Sequence, residues 1–169
     1  MPAGVSLRPA VDSDREFLRS LFASTREQEL AFLPPGAAIR EFFIRSQFDA
    51  QREAYRHAFP AANDQIIEIE SVAAGRLYVD RSPEALHVVD ISLMPKYRNR
   101  GIGSALLQAL AAEAVEAGAA LSLNVAMSNP AQRLYRRLGF QTVSSDGVYA
   151  FLVAGPRPAQ ASDTGAHQQ

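Results

Sequence analysis

The stretch that decides the fold is YRNRGIGSALL, residues 97–107. Two arginines and two glycines stand directly before an apolar run with helical spacing. The backbone N–H groups at the start of a helix lack a carbonyl partner within the helix, and the helix dipole makes that end partly positive. Glycine leaves room for an oxygen atom to approach the backbone. The stretch therefore predicts an anion-binding turn at a helix N-terminus; a solvated turn whose arginines serve solubility is the alternative.

Two familiar phosphate-binding motifs do not fit this turn. A P-loop requires a lysine after its second glycine, and Lys96, the only lysine in the chain, precedes the turn. A dinucleotide-binding fold places its glycine turn after the first strand, whereas this turn follows several strand-like segments. The local charge still favours an anion, because residues 96–137 carry six basic and two acidic side chains, a net charge of +4, while the whole chain carries −1.

Length and composition limit the domain organisation and the partners. A chain of 169 residues with 47% hydrophobic residues has room for one buried core, and we expect a single domain over residues 1–154. The stretch GPRPAQASDTGAHQQ, residues 155–169, lacks apolar periodicity and is predicted to be a disordered tail. With a net charge of −1, nothing global argues for nucleic acid or an anionic membrane surface as a partner.

The residues that the chain lacks exclude several chemistries. It contains no cysteine, which rules out disulfides, thiolate metal sites and a cysteine-bound intermediate. The three histidines, His57, His87 and His167, have no metal-ligand spacing, so no metal is expected. The N-terminal stretch MPAGVSLRPA has no apolar signal-peptide core, and the cytoplasm is the predicted location.

Hydrophobic spacing predicts a strand and two helices at the N-terminal end. Residues 5–10, VSLRPA, alternate as a strand does, and the next helix is expected to begin at a capping box of Ser13 and Glu16. After the break at residues 34–36, a longer amphipathic helix over 37–59 is predicted, with an apolar side that consists of Ile39, Phe42, Phe43 and Tyr55.

Alternating segments follow, and the pattern then returns to helical spacing. The segments 65–72, 76–80 and 85–94, joined by turns at Ala74-Gly75 and Ser82-Pro83, predict an antiparallel meander. Next come a helix over 103–118 with Val115 on its buried side, a strand over 120–126, a helix over 129–139 and a closing strand over 148–153. The order βααβββαβαβ indicates an α+β or mixed α/β domain with a central sheet.

Two motifs in this arrangement resemble those of a known family. Residues 98–103, RNRGIG, match the Arg/Gln-x-x-Gly-x-Gly/Ala signature of the GCN5-related N-acetyltransferases (GNAT family). Residues 129–140, NPAQRLYRRLGF, resemble the second motif of that family, which ends in Leu-Tyr-x-x-x-Gly-Phe. The resemblance covers roughly residues 85–140 and extends more weakly to residue 5. It implies a GNAT-like fold, with a central, mostly antiparallel sheet flanked by helices.

The resemblance also implies a binding site for acetyl-CoA as co-substrate. In the family the backbone of the glycine turn holds the pyrophosphate, which here involves Arg98, Asn99, Arg100, Gly101, Ile102, Gly103 and Ser104. The pantetheine arm would lie along Ser92, Leu93 and Met94, with Asn129 contacting it and Tyr135 near the sulfur as the proton donor. The spacing from asparagine to tyrosine is one residue shorter than in many members. Asn129 as a helix N-cap and Tyr135 as a half-buried packing residue are the alternatives.

The acceptor and the catalytic base are defined less sharply. In the family the two N-terminal helices shape the acceptor pocket, and the aromatic and acidic groups here suit an amine. In some members a carboxylate or histidine on the strand before the turn removes the amine proton, directly or through water, which points to Asp90 and His87. A solvated strand edge without a catalytic role is the alternative for both. These two have opposite parity, so both can face the acceptor only if the strand contains a bulge. Candidate lining residues are Glu27, Glu29, Phe32, Phe48, Gln51 and Tyr55, of which Phe48 and Tyr55 also suit the core.

The resemblance thus implies an acetyl-CoA-dependent N-acetyltransferase that acts on a primary amine of a small molecule or a peptide, by direct attack in a ternary complex. A catalytically silent acyl-CoA-binding or regulatory module of the same fold is the alternative. Transfer of a longer acyl chain, or transfer to a hydroxyl group, stays open. A homodimer is a further expectation.

Overall fold

A single sheet runs through the computed structural model, which describes residues 1–155. Its seven strands are β1 (Val5–Pro9), β2 (Asn63–Ile69), β3 (Val72–Arg81), β4 (Ala85–Leu93), β5 (Ala120–Ala126), β6 (Gln141–Ser145) and β7 (Tyr149–Ala154). They lie in the order β1-β2-β3-β4-β5-β7-β6. Every neighbouring pair is antiparallel except β4 and β5, which are parallel. The predicted mixed fold with a mostly antiparallel sheet is confirmed.

Different helices cover the two faces of the sheet. The α-helices within residues 1–155 are α1 (Arg15–Thr25), α2 (Glu27–Leu30), α3 (Ala37–Ala58), α4 (Ile102–Ala117) and α5 (Gln132–Arg137). Ile66 and Ile67 are consecutive on β2, so their side chains point to opposite faces. Ile66 joins the core under α1, α2 and α3, and Ile67 joins the core under α4 and α5. We refer to these as the α1–α3 face and the α4–α5 face.

Two elements go beyond the predicted order. The short helix α2 follows α1 directly, and β6 precedes the closing strand. All residues of β6 are exposed, and the strand pairs with β7 alone at the outer edge of the sheet. Because no side chain of β6 enters a core, its sequence QTVSS lacks the apolar alternation by which a strand is recognised. The tail predicted from residue 155 lies outside the described residues except for Gly155 itself.

The hairpin between β2 and β3 turns at Glu70-Ser71, not at Ala74-Gly75 as predicted. Glu70 and Ser71 have positive φ angles of 50° and 65°, as a tight two-residue hairpin turn requires. Gly75 lies inside β3, where a Cβ atom would clash with the carbonyl oxygen of Ser92 on β4. The glycine therefore serves the close approach of two strands rather than a turn.

The start of α1 is fixed by Asp14, so the predicted capping box of Ser13 and Glu16 is wrong. Asp14 accepts a hydrogen bond from the backbone N–H of Val11 at 2.8 Å. Its two carboxylate oxygens also accept one hydrogen bond each from the two terminal nitrogens of Arg8, both at 2.8 Å. Arg8 in turn donates its Nε–H to Glu68 on β2 at 2.7 Å. The buried carboxylate thus ties the helix start to the sheet.

Three predicted core positions are exposed. Ile39 and Phe42 in the first turns of α3 lie in solvent, and the buried residues of this helix are Ile44 and Phe48. On α4 the buried stripe passes through Ala114, and Val115, the next residue, lies about 100° further round the helix and is exposed. No helix within residues 1–155 combines the length and apolar character needed to cross a membrane.

Candidate active site

The sheet opens between its two parallel strands. β4 pairs with β5 only over Ala85–Val88, opposite Ala120–Leu123. β4 then continues to Leu93 along β3, and β5 continues to Ala126 along β7. The edge of β4 beyond Val88 therefore has no strand beside it on the β5 side within the described residues. Such an edge offers hydrogen-bonding groups to an extended ligand.

One backbone amide of this edge points into the opening. The N–H of Met94 donates to the carbonyl of Ala74 on the β3 side at 2.8 Å. Because backbone groups alternate sides along a strand, the N–H and carbonyl of Leu93 face the β5 side. The carbonyl of Leu93 accepts a bond from Arg98, and its N–H is directed into the opening. Of the predicted edge residues, Ser92 and Met94 turn their amides toward β3 and Leu93 turns its amide toward the opening.

The signature turn forms an open cradle at the start of α4. Gly101 adopts a φ of 76°, and α4 begins at Ile102 with no side-chain cap. The amides of Ile102, Gly103 and Ser104 belong to the first turn, where a helix offers no carbonyl partner. A Cβ atom built on Gly101 or Gly103 meets nothing within 4 Å. The cradle has the amides and the free space that a phosphate group requires.

The two arginines of the signature differ in their surroundings. The Nε–H of Arg98 donates to the carbonyl of Leu93 at 2.8 Å, and its NH2 group donates to the carbonyl and hydroxyl of Ser24 at 3.3 and 3.1 Å. The backbone N–H of Arg98 donates to Pro95. The guanidinium of Arg100 lies 5.6 Å from the ring centroid of Tyr97 on the exposed side of the turn. Arg98 thus holds the turn in place, and Arg100 presents its charge at the surface.

A β-bulge brings both predicted base candidates to one face. Tyr78 on β3 lies opposite Asp90, whereas the neighbouring Val79 lies opposite Val88, so Val89 is an extra residue on β4. Asp80 lies opposite His87. His87 and Asp90 therefore share the α1–α3 face, and the parity expected for a regular strand does not apply.

Asp90 lies in a cluster of charged and aromatic side chains on this face. Arg76, only 5% exposed, donates two hydrogen bonds of 2.8 Å to the carboxylate of Asp64. Its NH1 atom lies 3.8 Å from a carboxylate oxygen of Asp90. The Arg76 guanidinium also lies 4.7 Å from the ring centroid of Tyr78 and 5.8 Å from that of Tyr55. The sequence analysis missed Arg76 and Asp64; a lone arginine in an apolar strand was the available signal.

Asp90 and Tyr135 both have raised pKa values. Burial raises the pKa of Asp90 to about 6, and the charge of Arg76 opposes this rise. Burial also raises the pKa of Tyr135, and the negative charge of Asp90 raises it further. Tyr135 belongs to the core of the α4–α5 face, where its ring packs edge-on against Phe140 at 5.8 Å. The carboxylate thus lies on one face of the sheet and the phenol in the core of the other, and the charge of the first raises the pKa of the second.

His87 is held in a different way. Its ring stacks between Phe59 and Phe151, with centroid distances of 5.4 and 6.2 Å. Its Nδ1 atom lies 2.9 Å from the hydroxyl of Ser122. Burial lowers the pKa of His87, so the ring is neutral at neutral pH. These contacts fit a packing role better than proton transfer at the opening.

The remaining predicted residues have varied positions. The side-chain oxygen of Asn129 accepts the backbone N–H of Ala131 at 2.9 Å, which shapes the entry to α5. Phe48 is buried against the ring of Phe22 at 5.9 Å, so we assign it to the core. Glu29 pairs with Arg26 at 3.2 Å. Phe32 is 90% exposed, Glu27 is exposed, and Gln51 is half-buried one turn before Tyr55 on α3.

Residues 1–155 contain no group of three or more His, Asp or Glu side chains arranged to hold a metal ion. Among the predicted site residues, Asp90 and Tyr135 have raised pKa values, and the N–H of Leu93 faces the opening between β4 and β5. These three groups and the α4 cradle are the chemical content of the candidate site.

Comparisons with known proteins point to one family. The sequence model of the acetyltransferase (GNAT) family matches residues 22–140. An N-alpha-acetyltransferase of Sulfurisphaera tokodaii is 43% identical over 79 residues, 41% of this chain and 47% of that protein. The match thus spans about half the length of this relative.

Solved structures share the fold. The PaiA N-acetyltransferase of Thermoplasma acidophilum, in complex with coenzyme A, aligns with a TM-score of 0.66 at 16% identity, over 89% of this chain and 98% of that chain. An acetyltransferase of Thermus thermophilus aligns with a TM-score of 0.62 at 21% identity, over 92% and 97%. GNAT acetyltransferases use acetyl-CoA. With the family match covering most of its length and the same fold in these structures, the chain belongs to the GNAT acetyltransferase family.

Proposed function

We propose that this protein is an N-acetyltransferase that transfers the acetyl group of acetyl-CoA to a primary amine by direct attack in a ternary complex. The observation that carries the proposal is the opening between β4 and β5. There the free edge of β4 presents the Leu93 amide, Asp90 lies on the α1–α3 face of the same strand, and Tyr135 lies in the core of the α4–α5 face.

The chain offers separate groups for two parts of coenzyme A, the pyrophosphate and the pantetheine arm. The first-turn amides of Ile102, Gly103 and Ser104 are suited to the pyrophosphate, and the exposed guanidinium of Arg100 adds positive charge beside them. The free edge at Leu93 is suited to the amides of the pantetheine arm, which would bond as an added strand does. Asn129 stays a predicted contact of the same arm.

Asp90 is the proposed base. A primary amine is largely protonated at neutral pH and must lose a proton before its nitrogen can attack the thioester carbon. A carboxyl group with a pKa of about 6 is ionised at pH 7 and accepts a proton more readily than an ordinary aspartate. The Leu93 amide is placed to stabilise the oxyanion that forms. When the C–S bond breaks, the Tyr135 hydroxyl is the group that donates a proton to the departing sulfur.

A peptide α-amino group is the acceptor class that we favour. The relative from Sulfurisphaera tokodaii is named an N-alpha-acetyltransferase. An α-amino group has a pKa of about 7.7–8.0, whereas a lysine amine has one of about 10.4. A base whose own pKa is about 6 deprotonates the first far more easily than the second. Amines of small molecules are the next class to be tested.

The test is a panel of acceptors incubated with acetyl-CoA while release of free thiol is followed. The panel pairs a peptide with a free N-terminus with the same peptide carrying a blocked N-terminus and one lysine, and adds small amines. We expect turnover with the free α-amino peptide. Tight CoA binding without turnover of any acceptor would instead identify a silent acyl-CoA-binding module. Homodimerisation and a cytoplasmic location stay predictions from the sequence.

A further inference from the structure

Arg76 occupies a central position beneath the proposed acceptor side of the opening. On the α1–α3 face, Asp64 lies opposite Tyr78 in the β2–β3 pairing, and Tyr78 lies opposite Asp90 in the β3–β4 pairing. Arg76 is two residues from Tyr78 on the same strand, so its side chain is a diagonal neighbour of both carboxylates. Its 2.8 Å bonds go to Asp64, and its NH1 atom stops 3.8 Å from Asp90.

The contacts of Arg76 fix both its orientation and its charge. A bidentate arginine–carboxylate pair has a defined geometry, and the rings of Tyr78 and Tyr55 stabilise the cation further. Asp64 thus holds the guanidinium, while Asp90 receives its positive field without a direct hydrogen bond. The cluster contains one buried cation and two carboxylates, so the proton on Asp90 depends on both partners.

We propose that Arg76 is a positioning residue of acetyl transfer: held by Asp64, it keeps a cation beside Asp90 and so determines which protonation state of Asp90 meets the acceptor amine. This inference rests on the proposed function in assigning Asp90 as the base. It adds two residues outside the family signature to the machinery. Asp64 and Arg76 act on Asp90 in opposite directions, because one is an anion and the other a cation.

Other groups face Asp90 as well. The side chain of Ser92 on β4 lowers the pKa of Asp90, and Arg26, between α1 and α2, adds a weaker positive field. The charge of Asp90 raises the pKa values of Tyr55 on α3 and of Tyr135 on α5. The two tyrosines keep their protons at neutral pH, since burial raises both pKa values. Arg76 and Asp64 are therefore the charges whose removal changes the field at Asp90 most.

The test follows the titration of the Asp90 carboxyl carbon by NMR in the intact protein, with the resonance assigned by its loss in Asp90→Asn. The pH dependence of kcat/KM is measured in parallel. In Arg76→Gln we expect the midpoint of Asp90 to move to higher pH by about one unit or more. Asp64→Asn removes one of the two carboxylates near Arg76, and in this variant we expect the midpoint of Asp90 to move to lower pH. Arg76→Lys keeps the charge and is expected to return the midpoint toward that of the unmodified protein.

Two control variants separate a local effect from a change in total charge. Arg81→Gln removes the last arginine of β3, which pairs with Glu113, and Asp49→Asn removes a carboxylate of the exposed pair with Arg15. Both are expected to leave the Asp90 midpoint unchanged. Shifts in the same direction for Arg76→Gln and Asp64→Asn, or no shift in either, would overturn the inference. If Arg76→Gln does not fold, Asp64→Asn and Arg76→Lys decide alone.

The two readouts distinguish failure of the inference from failure of the proposed function. Opposite NMR shifts combined with unchanged kcat/KM profiles would mean that Arg76 controls Asp90 but that Asp90 is not the base. The other case is a fall of kcat/KM at low pH that disappears in Asp90→Asn but keeps its midpoint in the Arg76 and Asp64 variants. That result would keep the proposed function and refute the role of Arg76.

Discussion

The Nε–H of Arg98 donates a hydrogen bond to the carbonyl oxygen of Leu93 at 2.8 Å. The first residue of the RNRGIG signature thus fixes the last peptide of β4, the strand whose free amide faces the opening. The same guanidinium reaches Ser24 near the end of α1. One side chain therefore joins the α1–α3 face, the edge of β4 and the signature turn.

This arrangement predicts different results for two neighbouring arginines. Arg98→Gln is expected to lower the free energy of unfolding by about 1 kcal/mol, because charge-assisted hydrogen bonds are lost, and to lower turnover. Arg100→Gln is expected to change stability by less than about 0.5 kcal/mol and to weaken CoA binding in a manner that high salt reduces. Chemical denaturation and CoA titration at two salt concentrations check both. Unchanged stability with salt-dependent loss of affinity in Arg98→Gln would show that its side chain binds phosphate instead.

The open Cβ position at Gly103 allows a sharp test of the cradle. Gly103→Glu places a negative side chain in the first turn of α4, where the helix dipole favours it and the open space around the Cβ position should leave folding intact. The same side chain would repel a pyrophosphate. CoA at about 100 times its dissociation constant should stabilise the unmodified protein by roughly 2.7 kcal/mol, and Gly103→Glu should lose this stabilisation.

Gly103→Ala is the matched control for bulk, since it adds the Cβ atom without charge. Thermal unfolding with and without CoA measures both variants. A thermal shift of unmodified size in Gly103→Glu would place the pyrophosphate elsewhere.

The parts of the fold with local signals could be predicted from the sequence. The α4 helix, its glycine turn and strands β4 and β5 each carry a periodic pattern within one continuous segment. The β2–β3 turn could not be placed, because Glu70-Ser71 lacks the asparagine and glycine residues that usually mark such turns. The turn was predicted at Gly75 because glycine is common in turns, whereas this glycine lies inside β3 and allows β3 and β4 to approach closely.

The candidate site was predictable only in part, because its geometry depends on pairings between strands. The bulge at Val89 exists in the register of β4 against β3, which no local pattern encodes, and it alone brings Asp90 to the side of His87. The bond from Arg76 to Asp64 joins residues on different strands whose spacing follows from the hairpin register. A family signature marks the cofactor side, and the acceptor side has none.

The pH dependence of turnover separates the two base candidates. Asp90, as the proposed base, would act in its ionised form, so kcat/KM should fall as the pH drops through about 6, the raised pKa of this carboxyl. Asp90→Asn should remove this fall, the acid limb of the pH profile, and lower kcat/KM by about 10²-fold or more. His87→Gln keeps a polar group for Ser122 and should retain the limb. Loss of the limb in His87→Gln, with retention in Asp90→Asn, would exchange the two assignments.

The Asp14 network predicts a stability effect outside the site. Asp14→Asn removes a buried, charge-assisted pair with Arg8 and should lower the free energy of unfolding by about 1–3 kcal/mol, with CoA affinity unchanged. The hydrogen bonds from Arg8 lower the folded-state pKa of Asp14. Its contribution is therefore present at neutral pH and is lost as the pH falls below the ordinary aspartate value of about 3.9.

Ser13→Ala is the control for this prediction, because Ser13 was the expected cap and the structure gives α1 no side-chain cap from it. Denaturant unfolding at pH 7 and near pH 3 compares the variants. A larger loss of unfolding free energy in Ser13→Ala than in Asp14→Asn would support the predicted capping box of Ser13 and Glu16 instead.

Tyr135 carries the last prediction, and its surroundings make the test clean. The ring is buried against Phe140, and burial together with the charge of Asp90 raises the pKa of the phenol above its usual value near 10. The hydroxyl is therefore protonated throughout the neutral range and able to donate a hydrogen to the departing sulfur. Tyr135→Phe removes only this donor and keeps the packed ring.

We expect folded Tyr135→Phe to bind CoA with unchanged affinity and to lose about 10²-fold or more in turnover, the usual effect of removing a general acid. The loss should be measured at saturating acetyl-CoA, under conditions where the chemical step limits the rate. It should also shrink with an acyl donor whose leaving thiol has a lower pKa, because a more stable thiolate depends less on the donated hydrogen. A turnover within about twofold of the unmodified protein would reduce Tyr135 to a packing residue of the α4–α5 face and leave the departing thiolate to solvent.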